Sequence, residues 1–164
     1  MTFWTEAALE PKRNFRFKLI DGDQTTWWWA KSVDKPSFEV SNNAYQLINH
    51  KFNYPGIATW KPISMTVVDV GDTINLLIDE LRSLGYINPS DGAMEGLAKD
   101  NKGFIDGLSI EQLDADHSAK PLERWTLEGA FISSLTFSKL DYTSDELVEI
   151  TIEVVYDYAT SEFN

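Results

Sequence analysis

The sequence predicts a mainly β protein of the α+β class, an antiparallel β-barrel or sandwich flanked by one helix and carrying a projecting β-ribbon. Two observations support this class. Several segments alternate apolar and polar residues with period two, the pattern of strands with one face in a core and one in water. Only residues 73–84 have the apolar spacing of an amphipathic helix. A single helix among strands is expected to cover a sheet, since it has no partner for a bundle.

The clearest strand pattern occupies residues 147–158. Its apolar positions are Val148, Ile150, Ile152, Val154, Tyr156 and Tyr158, and its alternate positions are Glu149, Thr151, Glu153, Val155 and Asp157. The segment is about twice as long as a typical strand. Its polar face holds three carboxylates and no base. Such a face suits a sheet that lines an aqueous space better than it suits a catalytic pocket.

The first part of the chain is predicted to form strands. Residues 14–20 and 25–32 flank an Asp-Gly-Asp turn and are interpreted as a hairpin. Trp27, Trp28 and Trp29 would place indoles on both faces of the second strand, so neither face is wholly solvated. We expect one of these faces to meet a neighbouring subunit.

Residues 38–68 are predicted to form a long extended ribbon whose tip, around residues 45–60, projects from the body. Tyr54-Pro-Gly is a turn signal within it. Prolines at positions 36, 55 and 62 fit hairpin ends better than a central sheet. The alternative is a hairpin folded back over its own core, because exposed apolar ribbons favour aggregation.

The helix predicted over residues 73–84 has one apolar stripe. Its members are Ile74, Leu77, Ile78, Leu81 and Leu84. Asp72 is the expected N-cap and Gly85 the expected residue after the C-cap.

Residues 86–122 are predicted to be a loop-rich insertion, with a short helical turn at residues 109–114. Long strands follow at 123–138 and 147–158, and the short link between them predicts antiparallel pairing. No linker or internal repeat divides the sequence, so residues 1–164 are expected to form a single domain.

The net charge limits the classes of function that the sequence supports. Twenty-six acidic and fourteen basic residues give a net charge of −12, which argues against a surface that grips nucleic acid. It fits a surface past which nucleic acid slides, or an acidic surface that simply aids solubility. The N-terminus lacks a signal-peptide pattern, and no apolar run is long enough to cross a bilayer. We expect a soluble protein without a membrane anchor.

Catalytic chemistry finds little support. The chain has no cysteine, and phosphate-binding glycine loops and the hydrolase Gly-x-Ser-x-Gly motif are absent. His50 is expected to be a surface or interface residue. Asp114, Asp116 and His117 are a weak metal-ligand cluster, because nothing else in the sequence completes a site. The sequence does not decide whether two carboxylates lie at the separation that glycoside hydrolysis requires, because that separation is a property of the fold. We expect no enzyme activity, no cofactor and no metal.

Several segments, taken in order, resemble one family. They are Asn14-Phe-Arg-Phe, Asn49-His-Lys-Phe-Asn-Tyr-Pro-Gly, Trp60-Lys-Pro-Ile-Ser-Met-Thr-Val-Val-Asp, the helix, Glu123-Arg-Trp-Thr-Leu, and residues 133–141 and 146–158. Over about residues 10–160 the chain resembles the tail tube proteins of contractile-tailed (myovirus-type) bacteriophages. Tube proteins of phage-like injection particles and the Hcp ring proteins of type VI secretion are related in fold.

The resemblance implies an Hcp-like tail tube fold and a structural virion protein. Six copies would close into a ring, and rings would stack into a hollow tail tube. The tube would conduct DNA into the host, without binding it specifically, when the surrounding sheath contracts. The implied partners are further copies of the chain, the tail sheath protein, and the baseplate and tail terminator proteins. Assembly would take place in the host cytoplasm.

Two groups of residues are candidates for these roles. The candidate channel lining consists of polar positions on predicted strands, namely Glu39, Ser64, Thr66, Arg124, Thr126, Glu128, Glu149, Thr151, Glu153 and Asp157. The candidate ring–ring or subunit interface consists mostly of aromatic and apolar positions, namely Trp28, Tyr45, Leu47, His50, Phe52, Tyr54 and Trp60.

Three alternatives remain open. A baseplate–tube adaptor or a tube terminator would share the fold, although an adaptor is expected to carry a long tract beyond the barrel. A monomeric carbohydrate-binding module would instead expose Trp27 to Trp29 on a groove. A β-barrel enzyme would need a convergent acid/base pair in a pocket.

Overall fold

The computed structural model describes residues 12–86, 88–90, 92, 96, 105–114 and 120–163. The predicted class is confirmed, since the described residues form ten strands and one helix. The strands are β1 (Phe17–Ile20), β2 (Ala30–Val33), β3 (Ser37–Leu47), β4 (His50–Lys61), β5 (Ile63–Val68), β6 (Ser109–Gln112), β7 (Glu123–Glu128), β8 (Phe131–Phe137), β9 (Glu149–Val155) and β10 (Tyr158–Phe163), and the helix is α1 (Thr73–Ser83).

Two four-stranded antiparallel sheets enclose the core. Sheet A has the order β1-β6-β7-β10, and sheet B has the order β2-β5-β9-β8. Sheet B contributes one buried residue at every second position of β5 and β9, and sheet A contributes residues such as Leu19, Ile110 and Leu127. The apolar residues at alternate positions of these strands therefore face the opposite sheet, as the sequence predicts.

Both long C-terminal strands predicted from the sequence are broken, so those lengths were wrong. Residues 123–138 divide into β7 and β8 at Gly129, whose φ of 66° is left-handed, and residues 147–158 divide at Tyr156 and Asp157. The Gly129 amide donates to Asp106 Oδ1 at 2.8 Å, and the Asp157 amide donates to the Glu128 carbonyl at 3.0 Å. The chain thus crosses between the sheets twice at one corner. The predicted antiparallel pairing is confirmed on both sides of it.

The predicted hairpin of residues 14–20 with 25–32 is also wrong. β1 pairs with β6 in sheet A and β2 pairs with β5 in sheet B, leaving only a single bridge between Ile20 and Thr26. Asp21 explains the break, since its carboxylate accepts hydrogen bonds from the Thr25 amide at 2.7 Å and the Trp27 Nε1 at 3.1 Å. The tryptophan run is therefore a turn that leads from one sheet to the other.

The helical turn predicted at residues 109–114 is in fact the central strand β6. It lies between β1 and β7, so its backbone is paired on both sides. Four residues are too few for periodicity to distinguish a helical turn from a strand, and tertiary pairing decides.

The predicted helix is confirmed as α1, with Leu77 and Leu84 buried beneath it. Asp72 lies at the N-cap position but makes no side-chain capping bond. Thr73 Oγ1 instead accepts from the Val70 amide at 3.2 Å. Gly85 follows the C-cap with a φ of 100°, as the sequence predicts.

β3 and β4 form most of the predicted ribbon as a separate two-stranded sheet, here called the hairpin. The predicted extension of the ribbon to residue 68 was wrong, because residues 63–68 are β5, a central strand of sheet B with alternate residues in the core. Its turn lies at Ile48 and Asn49, so the turn expected at Tyr54-Pro-Gly was wrong. Pro55 and Gly56 lie inside β4, where the register shifts in a bulge. A Cβ on Gly56 would lie 2.1 Å from Ser41 Oγ, so the bulge requires glycine. Every residue of β3 and β4 is exposed except Gly56 and Trp60. The hairpin therefore does not fold back over the core, which was the alternative to a projecting ribbon.

Candidate assembly surfaces

The outward face of sheet B is a polar surface. Ser64 pairs with Glu153 across β5 and β9, and Thr66 pairs with Thr151. Residues between them on both strands are at most 1% exposed, so these polar side chains face away from the core. The flanking strands extend the rows, with Ser134 beside Glu153 on β8. Ser32 on β2 and Thr136 on β8 lie on either side of Thr66 and Thr151.

One end of this face carries an ion pair. Glu149 lies across from Val68, and its Oε1 forms a hydrogen-bonded ion pair with Lys31 Nζ. The hydrogen bond and the charge of Glu149 raise the pKa of Lys31. The central rows of the face are formed by hydroxyls and the carboxylate of Glu153.

Other residues predicted to line the channel lie elsewhere. Arg124, Thr126 and Glu128 are on β7 in sheet A. Arg124 Nε donates to Glu111 Oε1 at 2.7 Å, and Lys18 approaches the other oxygen of Glu111 at 2.9 Å. Glu111 is only 1% exposed, so its buried charge is compensated by these two cations, and removing either would leave it less compensated.

Two further members of the predicted lining are set apart from both sheets. Glu39 lies on the hairpin, 3.0 Å from Lys61. Asp157 lies at the corner between β9 and β10. The structure therefore brings together Ser64, Thr66, Glu149, Thr151 and Glu153, but not the remaining five.

The hairpin carries apolar side chains on opposite faces at its base and its tip. At the base, Phe38 and Trp60 pair, with ring centroids 5.1 Å apart, and Trp60 contacts Tyr156 of the body at 5.9 Å. Phe38 and Val40 lie at even positions of β3 and share one face of the hairpin, whereas Tyr45 and Leu47 lie at odd positions and share the opposite face. The apolar side chains therefore change face beyond the bulge. Trp60 is thus a half-buried anchor rather than a free contact residue.

The tip face contains most of the predicted interface residues. They are Tyr45, Leu47, His50, Phe52 and Tyr54. The four apolar and aromatic members other than His50 are each between 51% and 60% exposed. The His50 ring lies edge-on to Phe52 at 4.6 Å. This cluster, here called the tip face, is an exposed hydrophobic surface of the kind that marks protein–protein contacts.

Trp28 lies apart from the hairpin, next to Trp27 and Trp29 at the start of β2. Trp27 is 5% exposed and stacks on Trp29, whereas Trp28 is 75% exposed. A three-indole platform on a groove, as a carbohydrate-binding module would need, is therefore not formed.

Glu123 is an anchor that the sequence reading missed. Its carboxylate is bonded by Lys12 at 2.5 Å, by Lys35 at 3.1 Å and by the Trp125 indole. Burial opposes ionisation, but the hydrogen bonds from Lys12, Trp125 and Lys35 prevail and lower the pKa of Glu123 to about 2. Since Lys35 lies two residues before the first residue of the hairpin, this cluster connects the hairpin base to sheet A.

A groove beside the β8–β9 loop was also missed. The loop comprises residues 138–148, and the groove has a volume of about 880 Å³ between this loop, β2 and the ends of β5 and β9. Leu140, Tyr142 and Leu147 on the loop are each more than 70% exposed. The sequence signal for this groove is the presence of these apolar residues in an otherwise polar link between two strands.

The described residues show no cluster of metal-ligating side chains, and Asp116 and His117 lie outside them. Within the same residues, no helix has the length and apolarity required to span a bilayer.

The architecture defines a class, namely a two-sheet antiparallel sandwich with one helix and a protruding hairpin. Similarity to solved structures makes it more specific. The chain superposes on the tube-terminating cap of the anti-feeding prophage with a TM-score of 0.72 and 17% identity, covering 100% of both chains. With a chain of the PVC extracellular contractile injection system sheath–tube complex, the TM-score is 0.67 at 20% identity, covering 94% of this chain and 93% of the other.

A similar fold occurs in an Hcp protein. Hcp1 from Flavobacterium johnsoniae matches with a TM-score of 0.52 and 12% identity, over 92% of this chain and 97% of Hcp1. The chain therefore has the Hcp-like tail tube fold. No protein-family model matches the sequence, and no curated protein matches it significantly.

Proposed function

We propose that this protein is a structural, non-catalytic subunit of the tube of a contractile injection system or phage tail, in which rings of six copies stack into a hollow conduit. The observation that carries the proposal is sheet B, whose inner face is packed in the core and whose outward face has central rows of hydroxyls and the Glu153 carboxylate, with the Lys31–Glu149 ion pair at one end. The similarity in fold to chains of tube-containing assemblies supports it.

The strand order of sheet B suits ring closure. Its four strands are all antiparallel, so the edge strands β2 and β8 run in opposite directions. Copies arranged head to tail would therefore pair β2 of one with β8 of the next in antiparallel fashion. A closed ring of this kind leaves no unpaired edge in the lining sheet, which removes a site of aggregation.

The chemistry of the face suits a conduit for DNA. Hydroxyl groups and carboxylates do not neutralise phosphates, Lys31 at one end of the face is already paired with Glu149, and each ring would repeat these groups around the bore. DNA would be repelled rather than held, and would move when the sheath contracts. The expected partners are the sheath, baseplate and terminator proteins of the same particle, and the expected location is the virion or an extracellular injection particle.

Tube termination is a second candidate function, supported by the full-length superposition on the anti-feeding prophage cap. A terminator would close one end of a tube, whereas a tube subunit would polymerise. The two functions therefore differ in whether rings of this protein stack on one another.

Negative-stain electron microscopy of the purified protein, with its light-scattering mass, tests the proposal. Hollow tubes of uniform bore are the expected result, and isolated six-fold rings would favour the terminator. A protein that stays monomeric at high concentration would contradict both functions.

A further inference from the structure

Two short backbone segments join the hairpin to the body, meaning sheets A and B with α1. Residues 34–36 lead from β2 into β3, and Pro62 leads from β4 into β5. Pro36 and Pro62 have no amide hydrogen, so neither position can continue the ladder of sheet B into the hairpin. β3 and β4 accordingly form a sheet of their own. The junction therefore has the geometry of a hinge, in which a few backbone residues absorb a change of direction.

The two sides of this hinge are each well defined. On the body side, the Asp34 amide donates to the Ser64 carbonyl at 3.0 Å, and the Ser64 amide donates to Asp34 Oδ2 at 3.3 Å. On the hairpin side, the ladder begins at the pair Ser37 and Lys61. Any change in the direction of the hairpin is therefore confined to the residues between these two pairs.

The contacts that orient the hairpin lie at its base. Every residue of β3 and β4 except Gly56 and Trp60 is exposed, so the rest of the hairpin does not rest on the body. The eleven residues of β3 extend roughly 35 Å at about 3.3 Å per residue. A rotation of about 20° at the base would move the tip of such a strand by roughly 12 Å. Small changes at the base are thus amplified at the tip.

The first contact at the base is an ion pair with sheet A. Lys35 Nζ lies 3.1 Å from both carboxylate oxygens of Glu123. Glu123 is 6% exposed and is the first residue of β7, and Lys12 and Trp125 also donate hydrogen bonds to it. Because Glu123 is held within the body, it is a fixed anchor for the segment that enters β3.

The second contact is aromatic and involves the other strand of the hairpin. The ring centroid of Trp60 on β4 lies 5.9 Å from that of Tyr156, which is 6% exposed and follows the last residue of β9. Phe38 packs on the same indole at 5.1 Å, from the facing position of β3. One contact therefore restrains the segment before β3, and the other restrains the end of β4.

We propose that Pro36 and Pro62 form a hinge, and that the Lys35–Glu123 and Trp60–Tyr156 contacts form a two-point latch that fixes the direction of the hairpin in the free chain. When both contacts are broken, the hairpin swings as a rigid unit. This inference goes beyond the proposed function, because it concerns a single chain and holds whether or not rings form. A direction fixed in the free chain reduces the conformational entropy that assembly would otherwise have to remove.

Pulsed electron paramagnetic resonance on the dilute protein tests the latch, since the chain has no cysteine of its own. Spin labels are attached at Gln46→Cys near the tip and at Thr160→Cys on β10, two exposed positions. The labelled protein should give one narrow distance distribution. Lys35→Gln or Trp60→Leu alone should leave it narrow. The two substitutions together should broaden it at least about twofold, because a swing of about 20° moves the tip by roughly 12 Å.

The matched control removes the same kinds of contact inside the hairpin. Lys61 pairs with Glu39 at 3.0 Å, and the rings of His50 and Phe52 lie 4.6 Å apart near the tip. Neither pair connects the hairpin to the body. The double variant Lys61→Gln, Phe52→Leu should therefore keep the narrow distribution of the labelled parent.

Salt gives a second measurement that does not need the double latch variant to fold. About 1 M salt screens partly exposed ion pairs, so it should broaden the distribution of Trp60→Leu but not that of the labelled parent. A broad distribution in the parent, or a narrow one in the double latch variant, would overturn the latch. A single latch variant as broad as the double would overturn the two-point arrangement. Absence of rings and tubes in electron microscopy would contradict the tube function and leave this inference standing.

Discussion

Glu123 offers a quantitative link between the ionic cluster and the stability of the fold. Its pKa is lowered from 4.5 to about 2 despite the opposing effect of burial, because Lys12, Trp125 and Lys35 all donate hydrogen bonds to the carboxylate. A depressed folded-state pKa stabilises the protein above the unfolded-state value and loses that stabilisation as pH falls toward the folded-state value. The relevant window therefore runs from about pH 5 down to pH 2.

The magnitude follows from the shift. One pKa unit corresponds to about 1.4 kcal/mol, so the ionised Glu123 contributes at most about 3.5 kcal/mol at pH 7. Glu123→Gln keeps the shape of the side chain but removes the charge. We expect this variant to have a free energy of unfolding about 2–3 kcal/mol below the wild type at pH 7. At pH 2.5 the difference should shrink below about 1 kcal/mol.

Urea unfolding monitored by tryptophan fluorescence measures this difference between pH 7 and pH 2.5. The difference between the two proteins is the informative quantity, because other carboxylates titrate in both and cancel. Glu153→Gln, on the exposed face of sheet B, is the matched control and should change the free energy of unfolding by less than about 0.5 kcal/mol. A Glu123→Gln difference that is constant across the pH range would refute the reasoning.

Three further predictions follow from the packing and the polar face. Ile152→Ala, at a fully buried position of β9, should lower the free energy of unfolding by about 2–5 kcal/mol, against less than about 1 kcal/mol for Thr151→Ala on the opposite face. Gly56→Ala should increase the rate of amide hydrogen exchange in the hairpin but not in β5 and β9, because the new methyl group would clash with Ser41. An equal increase in exchange rate in the hairpin, β5 and β9 would contradict this. The double variant Thr151→Lys, Glu153→Lys should still assemble, but its tubes should retain DNA at low salt and release it at high salt. Gel retardation measures this retention. Tubes that retain no DNA at low salt would argue against sheet B as the lining of the channel.

Much of the local structure was predictable because it depends on short-range periodicity. The alternation in β5 and β9 and the bounds of α1 depend on neighbouring residues, and the structure reproduces both. The apolar stripe of α1 is reproduced only in part, since Leu77 and Leu84 are buried but Ile74 is exposed and Glu80 is buried. The presence of the hairpin was also predictable, although its turn was placed wrongly and its end was set at residue 68 instead of residue 61. Proline and glycine signal a turn on average, but here Pro55 and Gly56 form a bulge within β4.

The candidate lining shows what a strand pattern cannot supply. Alternation identifies one polar face on every strand, and it treats Thr126 and Thr151 alike. Their assignment to different sheets depends on Gly129, where the chain passes from sheet A to sheet B between β7 and β8. The groove could not be predicted for a similar reason, because it is formed by segments that are distant in the sequence, namely β2, β5, β9 and the β8–β9 loop.

The sequence by itself determined the class of the fold, the helix, the projecting ribbon and the acidic alternation of β9, because each depends on contacts between residues close in the chain. Only the tertiary structure decided which strands share a sheet and which polar residues share a face. Those features depend on pairing between distant segments such as β1 with β6 and β5 with β9. Burial of the common core selects that pairing, and no local pattern encodes it.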